Sequence, residues 1–291
     1  MLDVKLLLWC SNIDVPNYLV KVLPGPVEQI ARTAVKWGYD GIEFLPDPLN
    51  IPKPQQVDRA LRRAGTTMPV VTTGLMYPYG LAVLHRDLGK RKTSIEIFKR
   101  ILDFGGYFHS RVNLGISRGH DFSWISPKEL DHMAEDVFSE LAAYAEKSDS
   151  VIMLEPAEGR TVGFVNTVEE TLAWVKRINS PAFNLMLDTN QLEEAEPSIE
   201  YGIRMAEGRA DHIHLYDPSR WPPGVLPEGS RLDWPKIIEV LHDVGFRGTG
   251  SVVLAPDGDP ERAASQSVAY LRGLFERAGS SSDHKNPAAS I

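Results

Sequence analysis

Short apolar or β-branched runs alternate with longer stretches of helical period along nearly the whole chain. Residues 4–9 form the first run, and a helix is expected from about Pro26 to Trp37, stopped by Gly38. Residues 41–44 form the second run, followed by a helix near Gln55 to Arg63. Residues 69–73 form the third, which leads into a long connection holding Tyr77, Pro78 and Tyr79. A helix from about Lys92 to Phe104 precedes the run 111–115, and Ser126 with Pro127 opens another to about Lys147. The second half repeats the scheme, with strands expected at 151–155, 184–188, 211–215 and 251–254. Helices near 168–177, 198–206, 235–244 and 260–277 separate or follow them.

Eight strands alternating with eight helices point to a parallel sheet, and eight is the number at which such a sheet closes, so the α/β fold expected is a (β/α)8 TIM barrel. An open doubly wound sheet is the alternative. It is disfavoured because no strand is followed by the Gly-rich phosphate turn of a dinucleotide-binding member of that class. At 291 residues the chain fits one barrel, assigned to residues 1–278. Residues 279–291, rich in Ser, Ala, Asn and Asp without apolar period, are expected to be a disordered tail.

Composition narrows the partners. With 31 basic against 39 acidic residues and no basic cluster interleaved with aromatics, a nucleic-acid groove is disfavoured and a small molecule is the expected partner. The lone Cys10 excludes an intrachain disulfide framework, and the first thirty residues lack a signal-peptide pattern, so a reducing, cytoplasmic location is expected. No apolar run approaches the roughly twenty residues that cross a bilayer, and no membrane partner is expected.

In a barrel of this type the active site lies at the C-terminal ends of the strands, which makes ionisable residues there the candidates. Glu155 ends the run Val151-Ile152-Met153-Leu154, Asp188 ends Asn184-Leu185-Met186-Leu187, and His214 lies near the end of His212-Ile213-His214-Leu215. Any one of these carboxylates could simply cap the following helix. Three ligand types on three neighbouring strands argue instead for a divalent cation, with Mn²⁺ or Mg²⁺ suited to carboxylates plus one imidazole and Co²⁺ or Zn²⁺ also compatible. His212 shares a strand face with His214, and is read either as a substrate contact or as a buried histidine satisfied by hydrogen bonds.

The stretches Leu154-Glu155-Pro156, Leu187-Asp188-Thr189 and His212-Ile213-His214, followed by Arg220 and Pro223-Gly224, resemble the sugar isomerase/epimerase superfamily of xylose isomerase-like barrels, nearest to ketose 3-epimerases of the tagatose/psicose type. Phe164-Val165-Asn166-Thr167 and Leu192-Glu193-Glu194 also fit, whereas Gly38-Tyr39-Asp40-Gly41-Ile42-Glu43 is shared widely and discriminates little. The resemblance implies a divalent metal held by two glutamates, an aspartate and a histidine, the two glutamates exchanging protons with opposite faces of the sugar. Matched by motif, Glu155, Asp188 and His214 fill three of these places. The second glutamate falls on Ala255, in Val252-Val253-Leu254-Ala255-Pro256. Gln191 stands where the family has a histidine, and Thr161 where it has a further glutamate.

The resemblance therefore implies a metal-dependent keto-sugar epimerase or isomerase working through an enediolate, with Glu155 as one acid/base and the opposite one missing. Either the natural enzyme works one-sidedly or the chain is a substituted form of an enzyme with glutamate at position 255; the retained strand and Pro256 favour substitution. Arg220, His212 and Gln191 are the expected substrate contacts. Glu158 and Arg160, in the loop after Glu155, are read as replacement contacts or as solvated charges. A homo-oligomer, dimer or tetramer, is implied as well. The rival readings are a lyase or dehydratase on a keto-sugar or sugar acid, and a non-catalytic sugar-binding barrel.

Overall fold

The computed structural model describes residues 4–14, 22–157, 162–217, 230–253 and 259–282, and contains all eight expected strands. They are β1 (Lys5–Ser11), β2 (Gly41–Leu45), β3 (Thr67–Val71), β4 (Arg111–Leu114), β5 (Val151–Leu154), β6 in two pieces (Phe183–Leu185 and Leu187–Asp188), β7 (His212–Leu215) and β8 (Thr249–Val252). All pair in parallel, and β1 pairs with both β2 and β8, so the open-sheet alternative is excluded. The ring closes through β6. Its first piece pairs with β5 and its second with β7, with Met186 between them.

The surrounding helices are α1 (Val27–Trp37), α2 (Pro54–Ala64), α3 (Leu88–Gly106), α4 (Pro127–Lys147), α5 (Val168–Ile178), α6 (Thr189–Ala195), α7 (Ile199–Met205), α8 (Trp234–Asp243) and α9 (Pro260–Ser282). Because helices cover the outer face and side chains fill the inner one, the strands are buried on both sides, which is why they read as nearly continuous apolar runs. Local chemistry sets the boundaries. Gly38 and Gly65 end α1 and α2 in left-handed conformation, and capping boxes of Ser126 with Glu129 and Thr167 with Glu170 begin α4 and α5. Among the described residues no helix is long and apolar enough to cross a membrane.

Three elements differ from those expected. The third strand begins earlier, at Thr67, and its register slips by one residue between the pairs Gly41 with Thr67 and Glu43 with Val70. Pro69 lies in that slip, where a residue without an N–H does not break the ladder. The seven-residue helix α6 was not anticipated; Asp188 caps it by accepting from the backbone of Asn190 and Gln191. Helix α9 runs beyond Arg277 to Ser282 and takes in the start of the segment expected to be a tail.

Inside the barrel Leu7, Val70, Met153 and Met186 form a buried plug of their own. Alternate residues on a strand share a face, so Glu155 stands two residues beyond Met153 and Asp188 two beyond Met186, at the C-terminal mouth.

The junction of α3 and α4 allows no extra atom at Gly106: a Cβ there would lie 1.6 Å from the carbonyl oxygen of Ser148. Gly106→Ala is expected to destabilise the fold by about 1 to 3 kcal/mol or more, since backbone must move to relieve the clash. Chemical denaturation checks this, and an unchanged midpoint would refute the packing described.

Candidate metal centre

Strands β5, β6 and β7 bring Glu155, Asp188 and His214 together. Asp188 and His214 are in register in the β6–β7 pair. Nδ1 of His214 faces Asp188 Oδ2 at 3.3 Å and Glu155 Oε1 at 3.5 Å. All three side chains are buried, with relative exposures of 9, 5 and 3% for Glu155, Asp188 and His214.

Each is held from behind. On the far side of the imidazole, Nε2 of His214 bonds Glu43 Oε1 at 3.1 Å, and the other oxygen of Glu43 takes Nε2 of His212 at 2.9 Å. Glu155 Oε2 accepts from Asn113 Nδ2 at 2.9 Å, while Asn113 Oδ1 accepts from the N–H of Gly115 and the hydroxyl of Thr72, which fixes the amide orientation. Asp188 uses Oδ1 to cap α6, accepting from Asn190 N–H at 2.7 Å and Gln191 N–H at 3.2 Å. Its other oxygen remains directed at His214. Helix capping and ligation, alternatives in the sequence, are thus compatible in one side chain. Trp9, in the C-terminal half of β1, lies against the imidazole with ring centroids 4.7 Å apart.

Beneath the loop that follows Glu155 lies Arg118, with no exposed surface. Its guanidinium donates to four backbone carbonyls: Leu114 at the end of β4 and Gly115 after it, and Phe164 and Val165 in the loop. Val165 has φ of 57°, an unfavourable backbone for a β-branched residue, and its carbonyl is held by both Arg118 and the N–H of Ala157.

These contacts dominate the electrostatics. Burial alone would raise the pKa of Glu43, but the two histidines outweigh it through charge and hydrogen bonding and hold the carboxyl well below its ordinary range. Burial likewise opposes ionisation of Glu155, yet His214, Asn113 and Arg118 keep its pKa low. Asp188 moves the other way, raised by burial and by the nearby Glu155 charge. Burial opposes a charge on His214, but Glu43, Asp188 and Glu155 together raise its pKa well above the usual value. Burial lowers Arg118 to about 10, which leaves it charged at neutral pH.

The donor set fits a divalent cation. Three ligand atoms of hard or borderline type lie within 4.8 Å of one another, two of them on carboxylates. Each ligand also has the outer hydrogen bond that orients metal-binding histidines and carboxylates. A second cluster, Glu43 with His212 and His214, has similar composition but another character. There two ring nitrogens meet two carboxylate oxygens one to one at hydrogen-bond distance, so it is a support for the first cluster.

The remaining expected site residues divide. The ring of His212 is fully buried, with Nδ1 on the Thr249 hydroxyl at 2.7 Å and Nε2 on Glu43. Gln191 lies half-buried in the first turn of α6, beside Asp188. Glu158, Arg220 and Ala255 lie outside the described residues. Glu43, Asn113, Gly115 and Arg118 were not singled out from the sequence as site residues. A signal existed for the first two, each being a polar residue inside an apolar strand, in Ile42-Glu43-Phe44 and Val112-Asn113-Leu114.

The Xylose isomerase-like TIM barrel family model matches residues 31–274. A D-psicose 3-epimerase of Ruminiclostridium cellulolyticum is 32% identical over 79% of this chain and 76% of its own length. A D-psicose 3-epimerase of Enterocloster bolteae is 34% identical over a shorter stretch, 38% of this chain and only 35% of that protein. Among solved structures, the apo 3-keto-D-glucoside 4-epimerase of E. coli superposes with a TM-score of 0.77 at 18% identity, covering 93% of this chain and all of that one.

A Cβ at Gly115 would come within 2.0 Å of Glu155 Oε2. Gly115→Ala is therefore expected to displace the carboxylate and weaken Mn²⁺ binding by about 10- to 100-fold. Calorimetric titration with Mn²⁺ measures this, and wild-type affinity in the variant would remove Glu155 from the ligand set.

Proposed function

Because the chain belongs to the xylose isomerase-like TIM barrel family, and is a sugar isomerase or epimerase within it, we propose that it moves a proton on the carbon beside the carbonyl of a keto-sugar, with a divalent cation held by Glu155, Asp188 and His214. The observation that carries the reading is the convergence of these three side chains at the barrel mouth, each braced from behind. When bound there, a divalent cation supplies Lewis-acid stabilisation of the negative charge that grows on the substrate oxygens. Mn²⁺ is the ion we favour, and a ketose of the kind named for the epimerase relatives is the substrate class.

In this reading Glu155 is the base on one face. Its lowered pKa keeps it ionised and able to accept a proton at neutral pH, and Asn113 fixes the direction in which the carboxylate points. Asp188 and His214 orient the substrate end of the pocket, and the carbonyl anchors of Arg118 keep the following loop in place. Gln191, Arg220 and Glu158 supply polar contacts to hydroxyls. His212 acts through Glu43. Epimerisation also needs a carboxylate on the opposite face to return a proton, and the resemblance by motif matches Ala255 to that position. A methyl group transfers no proton, so the chain as it stands binds its sugar and turns it over poorly.

Solvent deuterium incorporation into a panel of ketoses under saturating Mn²⁺ tests this. The present chain should exchange one proton slowly without releasing epimer, whereas Ala255→Glu should raise epimerisation by about 10² to 10⁴, the usual contribution of one general acid/base. Fast epimerisation by the unaltered chain would overturn the assignment. Loss of a β-substituent in place of epimer would point to the lyase reading, and binding without exchange in both forms to a sugar-binding barrel.

A further inference from the structure

Glu43 reaches across the barrel interior from β2 to β7 and has no exposed surface. Its two oxygens are divided between two histidines of one strand, Oε2 to His212 Nε2 at 2.9 Å and Oε1 to His214 Nε2 at 3.1 Å. An ionised carboxylate only accepts hydrogen bonds, so each Nε2 must carry a proton. A neutral imidazole protonated at Nε2 has its lone pair on Nδ1. For His212 that lone pair meets the Thr249 hydroxyl at 2.7 Å, which has a proton to give. For His214 the same nitrogen is directed at Asp188 Oδ2 and Glu155 Oε1, the place assigned above to a cation, whose binding displaces any proton held there.

We infer that Glu43 is a positioning residue: through the series Thr249, His212, Glu43, His214 it fixes the tautomer and ring orientation of His214, making Nδ1 the ligand atom. The inference rests on the metal reading of the site. Reversing the His214 ring would set a carbon against Glu43 and leave a buried carboxylate oxygen without a donor. Moving its proton to Nδ1 would aim an N–H at the cation. His212 occupies the other oxygen, which prevents the Glu43 carboxylate from rotating away. The histidine nearly adjacent to the ligand thus serves the cation without touching it.

The test compares wild type with Glu43→Met and Glu43→Gln. Methionine has similar length and no comparable acceptor, whereas glutamine keeps one acceptor oxygen and is the safer variant for folding. Mn²⁺ affinity by calorimetry is expected to fall about 10- to 100-fold in Glu43→Met and by less in Glu43→Gln. Metal-free melting temperatures report any loss of fold separately. Histidine ¹⁵N resonances of the Zn²⁺-loaded proteins supply the readout that a merely structural role would not move: protonated Nε2 and bare, metal-bound Nδ1 for His214 in wild type, and mixed tautomers in the variants. If wild type binds neither ion, the metal reading itself fails. If wild type binds and a folded variant binds equally well with the same His214 tautomer, the role assigned to Glu43 is overturned. Should Glu43→Met not fold, the tautomer and affinity of Glu43→Gln decide alone.

Discussion

A carboxylate sealed inside the barrel is the constraint on which the site turns. Removing Glu43 from water costs several kcal/mol unless both of its oxygens are hydrogen-bonded and its charge is compensated. Two imidazoles from one strand meet that demand, one to each oxygen. Because strand side chains alternate, His212 and His214 present themselves on the same face two residues apart, a spacing that matches the span of a carboxylate and its reach across the barrel. Once His214 is held by one nitrogen, the other is committed to a direction, and the acidic ends of β5 and β6 close around it. The plug of Leu7, Val70, Met153 and Met186 supplies the dry floor that makes these charges interact strongly.

The sequence carried the periodic part of this architecture well. Strand positions were legible because parallel strands covered on both faces are unbroken apolar runs, and the residues that end those runs must lie at one rim. Glu155, Asp188 and His214 could therefore be named from their places alone. What was not legible depends on contacts between distant segments. Glu43 and His214 are separated by 171 positions, and nothing in either strand specifies that the two meet. Seen along the chain, Glu43 belongs to a commonplace Gly-Ile-Glu stretch, and only barrel closure gives it a partner.

Asp188 illustrates a second limit. Read locally, an acidic residue before a helix caps that helix, and read by its place in a barrel it binds at the mouth. The two readings look exclusive because a sequence offers one letter for one role. The side chain has two oxygens, and it spends one on the N–H groups of α6 and directs the other at His214. The cap itself orients the carboxylate, so the local interaction and the functional one support each other. The same economy of atoms explains the unanticipated helix: α6 is short and lacks a strong apolar period, and the carboxylate that precedes it helps to start it.

Among the described residues of the loop after Glu155, Arg118 holds main-chain oxygens, those of Phe164 and Val165. Every amino acid brings the same carbonyl, so the anchor is indifferent to which residues the loop displays. The anchor therefore constrains the backbone path and leaves the choice of side chain to packing, which holds Phe164 against Phe122 and Trp174 and Val165 in the core. Over a lineage, an anchor made only to main chain lets side chains that do not pack inward drift while the carboxylate of Glu155 stays where it is.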